Sequence, residues 1–329
     1  MRICAIETSC DETAVAIIED GKKVLSNIVS SQINVHQAFG GVIPEVASRI
    51  HVENISLVLK EALDEAKMTL DDVDAFAITH GPGLVGSLHV GLIAAKTLAW
   101  YTQKPLIPVH HITGHIYANN FVCELSYPML ALVVSGGHTE LVYLKAEFDF
   151  EILGSTQDDA VGEAYDKVAR VMGLNYPGGP EIDKLSKLGG PQYKLPKIKT
   201  QEPFDFSFSG LKSAVLQLVH KQTEALNIEN LAHAFQEAAV GELMKKTRLA
   251  LDTYPVKHFV LAGGVAANSR LRECVLGLSD EYEDVQITIP PLWCCTDNAA
   301  MIGAVAYIAY KHGIKADLSL SASPGLEYA

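Results

Sequence analysis

The sequence predicts an α/β fold laid down twice. Two strand-strand-strand-helix blocks follow one another along the chain, and each opens with a strand that runs into a turn of small polar residues. The composition fits a packed core, with 48% hydrophobic and 20% charged residues. At about 150 residues per domain, the 329 residues leave room for two. The alternative is an ordinary α/β protein whose halves only look alike, and pattern alone leaves that open.

The elements follow in order. Residues 2–7 alternate around Ile3 and Ala5, and 13–18 are β-branched and apolar. Asp20-Gly21 is a hairpin turn signal, because glycine accepts positive φ, and 24–29 form the returning strand. A helix over 44–67 starts at Pro44, which suits a first turn, and keeps Ile55, Val58, Leu59, Ala62, Leu63 and Ala66 on one face. Its stretch 45–51 is read as solvated surface rather than as a dimer face. A strand at 75–79, a helix at 87–101 and a strand at 106–109 complete the first half. The second half repeats the pattern. Strands at 129–134, 140–144 and 150–153 precede a helix with Val161, Ala164, Val168, Val171 and Met172 on its apolar side. A strand at 259–261 then leads through Gly263-Gly264 into a helix from about Asn268.

Charge and apolar runs exclude several classes. With 26 basic and 39 acidic residues the net charge is −13, which argues against coating nucleic acid by bulk electrostatics and leaves a local basic face open. The longest apolar run, 299–310, is too short for a bilayer and reads as a buried helix. Glu7 interrupts the apolar start, so no signal peptide is expected. Six cysteines without a CxxC pair read as reduced thiols, and the expectation is a cytoplasmic protein with no membrane segment. Between 184 and 200 the chain holds five lysines, no acid and Gly189-Gly190-Pro191, and reads as an excursion from the core.

The segment His110-His111-Ile112-Thr113-Gly114-His115 is the strongest local signal. If it starts a helix, His111 and His115 stand four apart on one face, the geometry for two imidazoles on one metal. The other reading is one exposed and one buried histidine. A zincin peptidase is disfavoured, because the position after the first histidine is Ile112 and not glutamate. Four glycine turns, at 81–86, 135–137, 177–179 and 263–264, suit a phosphate that approaches backbone N–H groups, although none matches a P-loop or GxGxxG. The acidic candidates each have a plain alternative. Asp166 can pair with Arg170 and Asp183 with Lys187 at i,i+4, Asp297 can cap the next helix, and Asp11-Glu12 can serve a turn.

Taken in order, the motifs resemble one family. They are Ile6-Glu7-Thr8-Ser9-Cys10-Asp11-Glu12-Thr13, Gly81-Pro82-Gly83-Leu84, the histidine segment, Ser135-Gly136-Gly137-His138-Thr139, Gly162-Glu163-Ala164-Tyr165-Asp166-Lys167, Tyr176-Pro177-Gly178-Gly179-Pro180, 206–212, 263–268 and Cys295-Thr296-Asp297-Asn298. The chain resembles the bacterial TsaD (Gcp) family of tRNA N6-adenosine threonylcarbamoyltransferases, whose archaeal and eukaryotic branch serves in the KEOPS complex.

The resemblance implies a duplicated actin/Hsp70/sugar-kinase-like (ASKHA) fold with a nucleotide cleft between two lobes, 1–110 with 297–329 and 111–296. It implies transfer of threonylcarbamoyl from threonylcarbamoyladenylate to N6 of adenosine 37, 3′ of the anticodon, with release of AMP. His111, His115 and Asp297 match the family's ligands for one divalent ion, Fe²⁺ ahead of Zn²⁺. Val133, Val134, Ser135, Gly136 and Gly137, with Asp166, Gly179, Asp183 and Asn268, match the nucleotide-substrate site. Archaeal members carry a tyrosine ligand where this chain has Val134, which leaves that coordination position to water or substrate. Asp11 is assigned as the group that takes the proton of the poorly nucleophilic adenine amine or orients that amine, with Glu12 in reserve. The implied partners are tRNA, the paralogous actin-like TsaB and the small ATPase TsaE. Rival readings are a kinase or ATPase on the same fold, against which the HxxxH pair weighs, the old glycoprotein endopeptidase label, and a non-catalytic scaffold. A tRNA substrate turns the lysines of 184–200 into the candidate electrostatic footprint, the plain alternative being a solvated loop.

Overall fold

The computed structural model describes residues 1–221 and 226–328. The chain divides into two compact units, Met1–Glu124 with Thr296–Tyr328, and Leu125–Cys295.

In the first unit β1 (Arg2–Glu7), β2 (Glu12–Glu19) and β3 (Lys23–Ser31) form an antiparallel meander. Asp20 and Gly21 both take positive φ, 53° and 69°, as a two-residue Asp-Gly hairpin turn requires. Then come α1 (Ile33–Gln37), α2 (Pro44–Ala66), β4 (Ala75–Gly81), α3 (Val85–Thr102), β5 (Leu106–His110) and α4 (His111–Tyr117). The sheet order is β3-β2-β1-β4-β5, with β4 parallel to β1 and β5 parallel to β4. Cys4, Ile6, Val15 and Ile17 face a cluster built with Val58 and Ala62 of α2 and Leu92 and Ala95 of α3.

The second unit repeats this plan. It holds β6 (Met129–Val134), β7 (Thr139–Ala146), β8 (Asp149–Ser155), α5 (Val161–Val171), α6 (Gly178–Ser186), α7 (Ser209–Lys221), α8 (Ile228–Thr253), β9 (His258–Ala262), α9 (Ser269–Leu276), α10 (Leu278–Glu281) and β10 (Gln286–Thr288). Its order, β10-β9-β6-β7-β8, is the first sheet's order read from the other edge, with β9 parallel to β6 and β10 parallel to β9. The expected duplication is therefore present. The sequence reading passed over α7 and α8. Leu231, Phe235, Ala239 and Leu243 recur every fourth residue along α8 and enter the core cluster of this unit, so a signal was available.

The last helix, α11 (Ala299–Lys311), returns to the first unit and covers the sheet face opposite α2 and α3. Gly303 makes the approach close, since a Cβ there would lie 2.5 Å from Cγ1 of Ile18. Because α4 packs on α11, the first unit runs on through Glu124 and keeps both histidines of the HxxxH pair. Among the described residues no helix is long and apolar enough to cross a membrane.

The lysine-rich stretch is tied to the core more closely than expected. Tyr193, Leu195 and Ile198 pack against the second unit's cluster, while Lys194, Lys197 and Lys199 are exposed. Asn230 Oδ1 accepts from Gly190 N–H at 2.7 Å, and the buried Lys246 ammonium donates to Thr200 Oγ1 at 2.8 Å. The alternation of apolar and basic residues along an extended chain supplies the physical reason.

Candidate active site

The site residues of the first unit converge on the start of α4. His110 is its N-cap, its ring accepting from the Thr113 amide at 3.3 Å, so the helix begins at His111. His111 and His115 then project one turn apart from the same face, with ring centroids 4.8 Å apart. Both are buried. Asp297 is not the cap of α11. Asn298 fills that position by accepting from the Met301 amide at 3.1 Å, which leaves Asp297 free to turn to the histidines. Its Oδ1 lies 3.1 Å from His115 Nε2 and 3.4 Å from His111 Nε2.

Glu7 orients this cluster, a role the sequence reading did not give it. It ends β1 fully buried, and a buried carboxylate needs partners. Its Oε1 accepts from the Ser9 amide at 2.5 Å, and its Oε2 from Thr79 Oγ1 at 2.5 Å and from His111 Nδ1 at 3.0 Å. With Nδ1 committed to Glu7, Nε2 is the nitrogen of His111 that faces Asp297. Burial would raise the Glu7 carboxyl, but the charge and hydrogen bond of His111 hold it below its ordinary range. Burial likewise opposes charge on His111, and Asp297 and Glu7 outweigh it and push that ring well above its ordinary value. Asp297, against its own burial, is held well below the carboxylate range by the two imidazoles.

The donor atoms of His111, His115 and Asp297 all lie within 4.8 Å of one another. Ligand atoms around a tetrahedral divalent ion stand about 3.4 Å apart, so a small closing of the imidazoles completes the set. Two imidazoles and one carboxylate, with one imidazole fixed by a carboxylate behind it, are the donor set of a metal site. The cluster suits a metal ion.

Asp11, in the β1–β2 turn, and Glu12, the first residue of β2, sit beside this cluster. Asp11 and Asp297 both act electrostatically on Cys10 and on Glu12. Burial first, then Asp297 and Asp11, push the Glu12 carboxyl well above its ordinary range. The turn is fixed from behind by His51 and Gln32, whose side chains are buried. His51 Nε2 donates to the Cys10 carbonyl at 2.9 Å, and the Gln32 backbone N–H to the Asp11 carbonyl at 3.1 Å. His51 is thus interior, and that end of 45–51 is not the solvated surface expected.

The second group of predicted residues lies in the second unit. Val133 and Val134 are buried at the end of β6, so only their backbone can face a ligand. Ser135 folds the turn by accepting from the Gly137 and His138 amides, at 3.3 and 2.9 Å. Gly136 and Gly137 are exposed, with nothing within 4 Å of where a Cβ would stand. Two other glycines let the surroundings close on this turn. A Cβ on Gly162 would stand 2.6 Å from the Ser135 carbonyl, and one on Gly263, at φ 93°, 2.4 Å from that of Val134.

Asp166 accepts from the Gly178 amide at 2.7 Å, and its half-buried carboxyl is raised by burial. Asp183 pairs with Lys187 at 3.3 Å, as expected at i,i+4, and also accepts from Ser269 Oγ at 2.8 Å. Asn268 caps α9 by accepting from the Leu271 amide and donates to Gln236 Oε1 at 2.8 Å. Gln236 and Ser186, missed in the sequence, tie α8 to α6 through a 2.6 Å hydrogen bond. Gly179 is open around its Cα.

A family model described as "TsaD: tRNA N6-adenosine threonylcarbamoyltransferase" matches residues 23–304. Proteins named tRNA N6-adenosine threonylcarbamoyltransferase are similar over nearly the whole chain. That of Limosilactobacillus fermentum is 54% identical over 332 residues, covering 99% of this chain and 96% of its own. That of Enterococcus faecalis is 54% identical over 331, covering 99% and 95%. Among solved structures, full-length HypF in its phosphate- and nucleotide-bound form aligns with a TM-score of 0.60 at 14% identity, over 94% of this chain and 46% of that one. Component A of the (R)-2-hydroxyglutaryl-CoA dehydratase of Acidaminococcus fermentans aligns at 0.55 and 14%, over 94% and 99%. These two likenesses are of fold, the actin/Hsp70/sugar-kinase-like architecture.

Proposed function

The chain belongs to the TsaD family of tRNA N6-adenosine threonylcarbamoyltransferases, and from that premise we propose how its residues divide the work. The enzyme forms threonylcarbamoyladenosine at position 37 of tRNAs that read codons beginning with adenine, and tRNA is its substrate. In our reading the donor is threonylcarbamoyladenylate. The adenine N6 attacks the carbamoyl carbonyl, the bond from that carbon to the phosphate oxygen breaks, and AMP leaves.

His111, His115 and Asp297 would hold the divalent ion, Fe²⁺ first and Zn²⁺ second. When bound, such an ion polarises a carbonyl as a Lewis acid. Glu7 holds the His111 ring so that Nε2, the nitrogen left for the ion, stays on the Asp297 side. Asp11 takes the proton that N6 loses on attack. The raised carboxyl of Glu12 favours its protonated form, which leaves the base to Asp11 and Glu12 in reserve. In the second unit the open Gly136-Gly137 backbone admits the adenylate phosphate, and Ser135 shapes the turn that presents it. Asp166 and Asp183 accept from ribose hydroxyls, beside Gly179 and Asn268. Val134 offers no ligand atom, consistent with water or substrate taking the position of the archaeal tyrosine.

Lys194, Lys197 and Lys199 would meet tRNA phosphates. With a net charge of −13 the chain would bind tRNA weakly alone and act with TsaB and TsaE, in the cytoplasm.

The observation that carries this reading is the His-His-Asp cluster with its Glu7 support. A purified reaction with threonylcarbamoyladenylate and unmodified tRNA tests it, with and without the two partners. We expect modified adenosine with the partners present, its loss on chelation, and recovery on adding Fe²⁺, less with Zn²⁺. No product under any partner combination, or full activity after complete removal of metal, overturns it.

A further inference from the structure

We infer that residues 321–328, which follow α11, are a positioning strap for the ligand-bearing helix α4. The inference rests on reading His111 and His115 as metal ligands. Nothing in the catalytic scheme uses this segment, and His110 enters the site only as the N-cap of α4.

The strap is anchored on the β4–α3 turn. Ser323 N–H donates to the His80 carbonyl at 2.7 Å, and Gly83 N–H to the Pro324 carbonyl at 3.1 Å. Gly81 has no room for a side chain, because a Cβ would stand 2.0 Å from the Ser323 carbonyl. From that anchor the strap reaches His110 twice. The Tyr328 ring stacks on the His110 ring, with centroids 4.7 Å apart and planes 25° apart, and the Leu326 carbonyl lies 3.1 Å from His110 Nε2.

The second contact decides the chemistry of the cap. A carbonyl only accepts, so Nε2 must carry the proton. In a neutral imidazole that leaves Nδ1 as the acceptor. Nδ1 is the atom that takes the Thr113 amide and starts α4 at His111. The strap therefore selects the tautomer that caps the helix. A second route runs through the turn it holds. The Leu84 amide donates to the Ser9 carbonyl at 2.8 Å, and Ser9 Oγ lies 3.1 Å from His111 Nδ1. Both routes end on His111, and every residue in them belongs to the first unit.

The test compares the full chain with Tyr328→Ala, Tyr328→Phe and a chain ending at Leu320. Zn²⁺-loaded proteins are mixed with a chelating dye to read metal release. Metal-free proteins are followed by amide hydrogen exchange over 111–117, which needs no metal. We expect about tenfold faster release and lost protection at the Thr113 amide in Tyr328→Ala and the shortened chain, with Tyr328→Phe like the parent. Should the shortened chain fail to fold, a chain ending at Gly325, which keeps the anchor and loses both contacts to His110, decides in its place. Release and exchange unchanged in the chain that lacks both contacts overturn the strap. If the parent itself fails to retain Zn²⁺, the metal reading falls while the exchange measurement still decides the strap.

Discussion

The two units build the same sheet and put opposite chemistry on it. In each, the turn leaving the first strand is pressed by a glycine from the turn leaving the fourth. A Cβ on Gly83 would stand 2.6 Å from the Ser9 carbonyl, and one on Gly263 2.4 Å from that of Val134. The scaffold device is repeated, and the residues it presents are not. In the first unit the β1–β2 junction carries Asp11 and Glu12, and the buried Glu7 and half-buried Asp297 flank two imidazoles. In the second the β6–β7 turn is exposed glycine, and the buried polar groups nearby, Asn268 and Gln236, are neutral amides. The His-His-Asp cluster suits the first unit to a cation, and on the roles proposed above that unit also moves the proton while the second lets a phosphate approach backbone.

The strongest way to break this comparison is Asp11→Asn. Proton removal by a placed base is worth about 10²–10⁴ in rate. Single-turnover transfer should fall within that range, while binding of a non-reactive adenylate analogue stays unchanged, because its contacts are assigned to the second unit. Full transfer by Asp11→Asn would remove the base from this turn. Next comes Glu7→Gln. A glutamine has one acceptor oxygen where Glu7 accepts from Ser9, Thr79 and His111 with two. Support of this kind is worth about 10–100-fold in metal affinity. Competition against a chelator should show that loss for Zn²⁺, and an unchanged affinity would reduce Glu7 to a core residue.

Much of this was legible in the sequence. The meander, the Asp20-Gly21 turn and the long helix from Pro44 announce themselves through alternation, turn chemistry and one apolar face, all of them local signals. Spacing placed His111 and His115 together for the same reason. Asp297 was harder, since a position beside a helix start reads equally as a cap. Only the fold shows that Asn298 has taken that role. Glu7 was visible as an acid ending an apolar strand, yet its partners lie 72 and 104 residues away, beyond any local pattern. The same holds for His51, which the face of α2 alone could not separate from solvent-facing neighbours.

A smaller effect separates the units by stability. At the first unit's site His111 and His115 face carboxylates, whereas His258 in the second unit is buried and neutral. Its Nδ1 accepts from the Ser126 amide at 3.2 Å and its Nε2 lies 2.7 Å from Thr288 Oγ1. Burial lowers its pKa from 6.5 to about 4. The folded value is the depressed one, so above pH 6.5 neither state binds the proton and the full stability is present. As pH falls from 6.5 toward 4 the unfolded chain takes up a proton that the folded chain refuses, and stability drains away. Between pH 7 and pH 5 that is about 2 kcal/mol, on 1.36 kcal/mol per pH unit. Denaturant unfolding at the two pH values should show a loss of this size, and His258→Gln, which cannot titrate, should remove most of it. A loss that persists undiminished in His258→Gln would move the acid sensitivity elsewhere, with His51 and His80 of the first unit, whose rings burial also lowers, the next places to look.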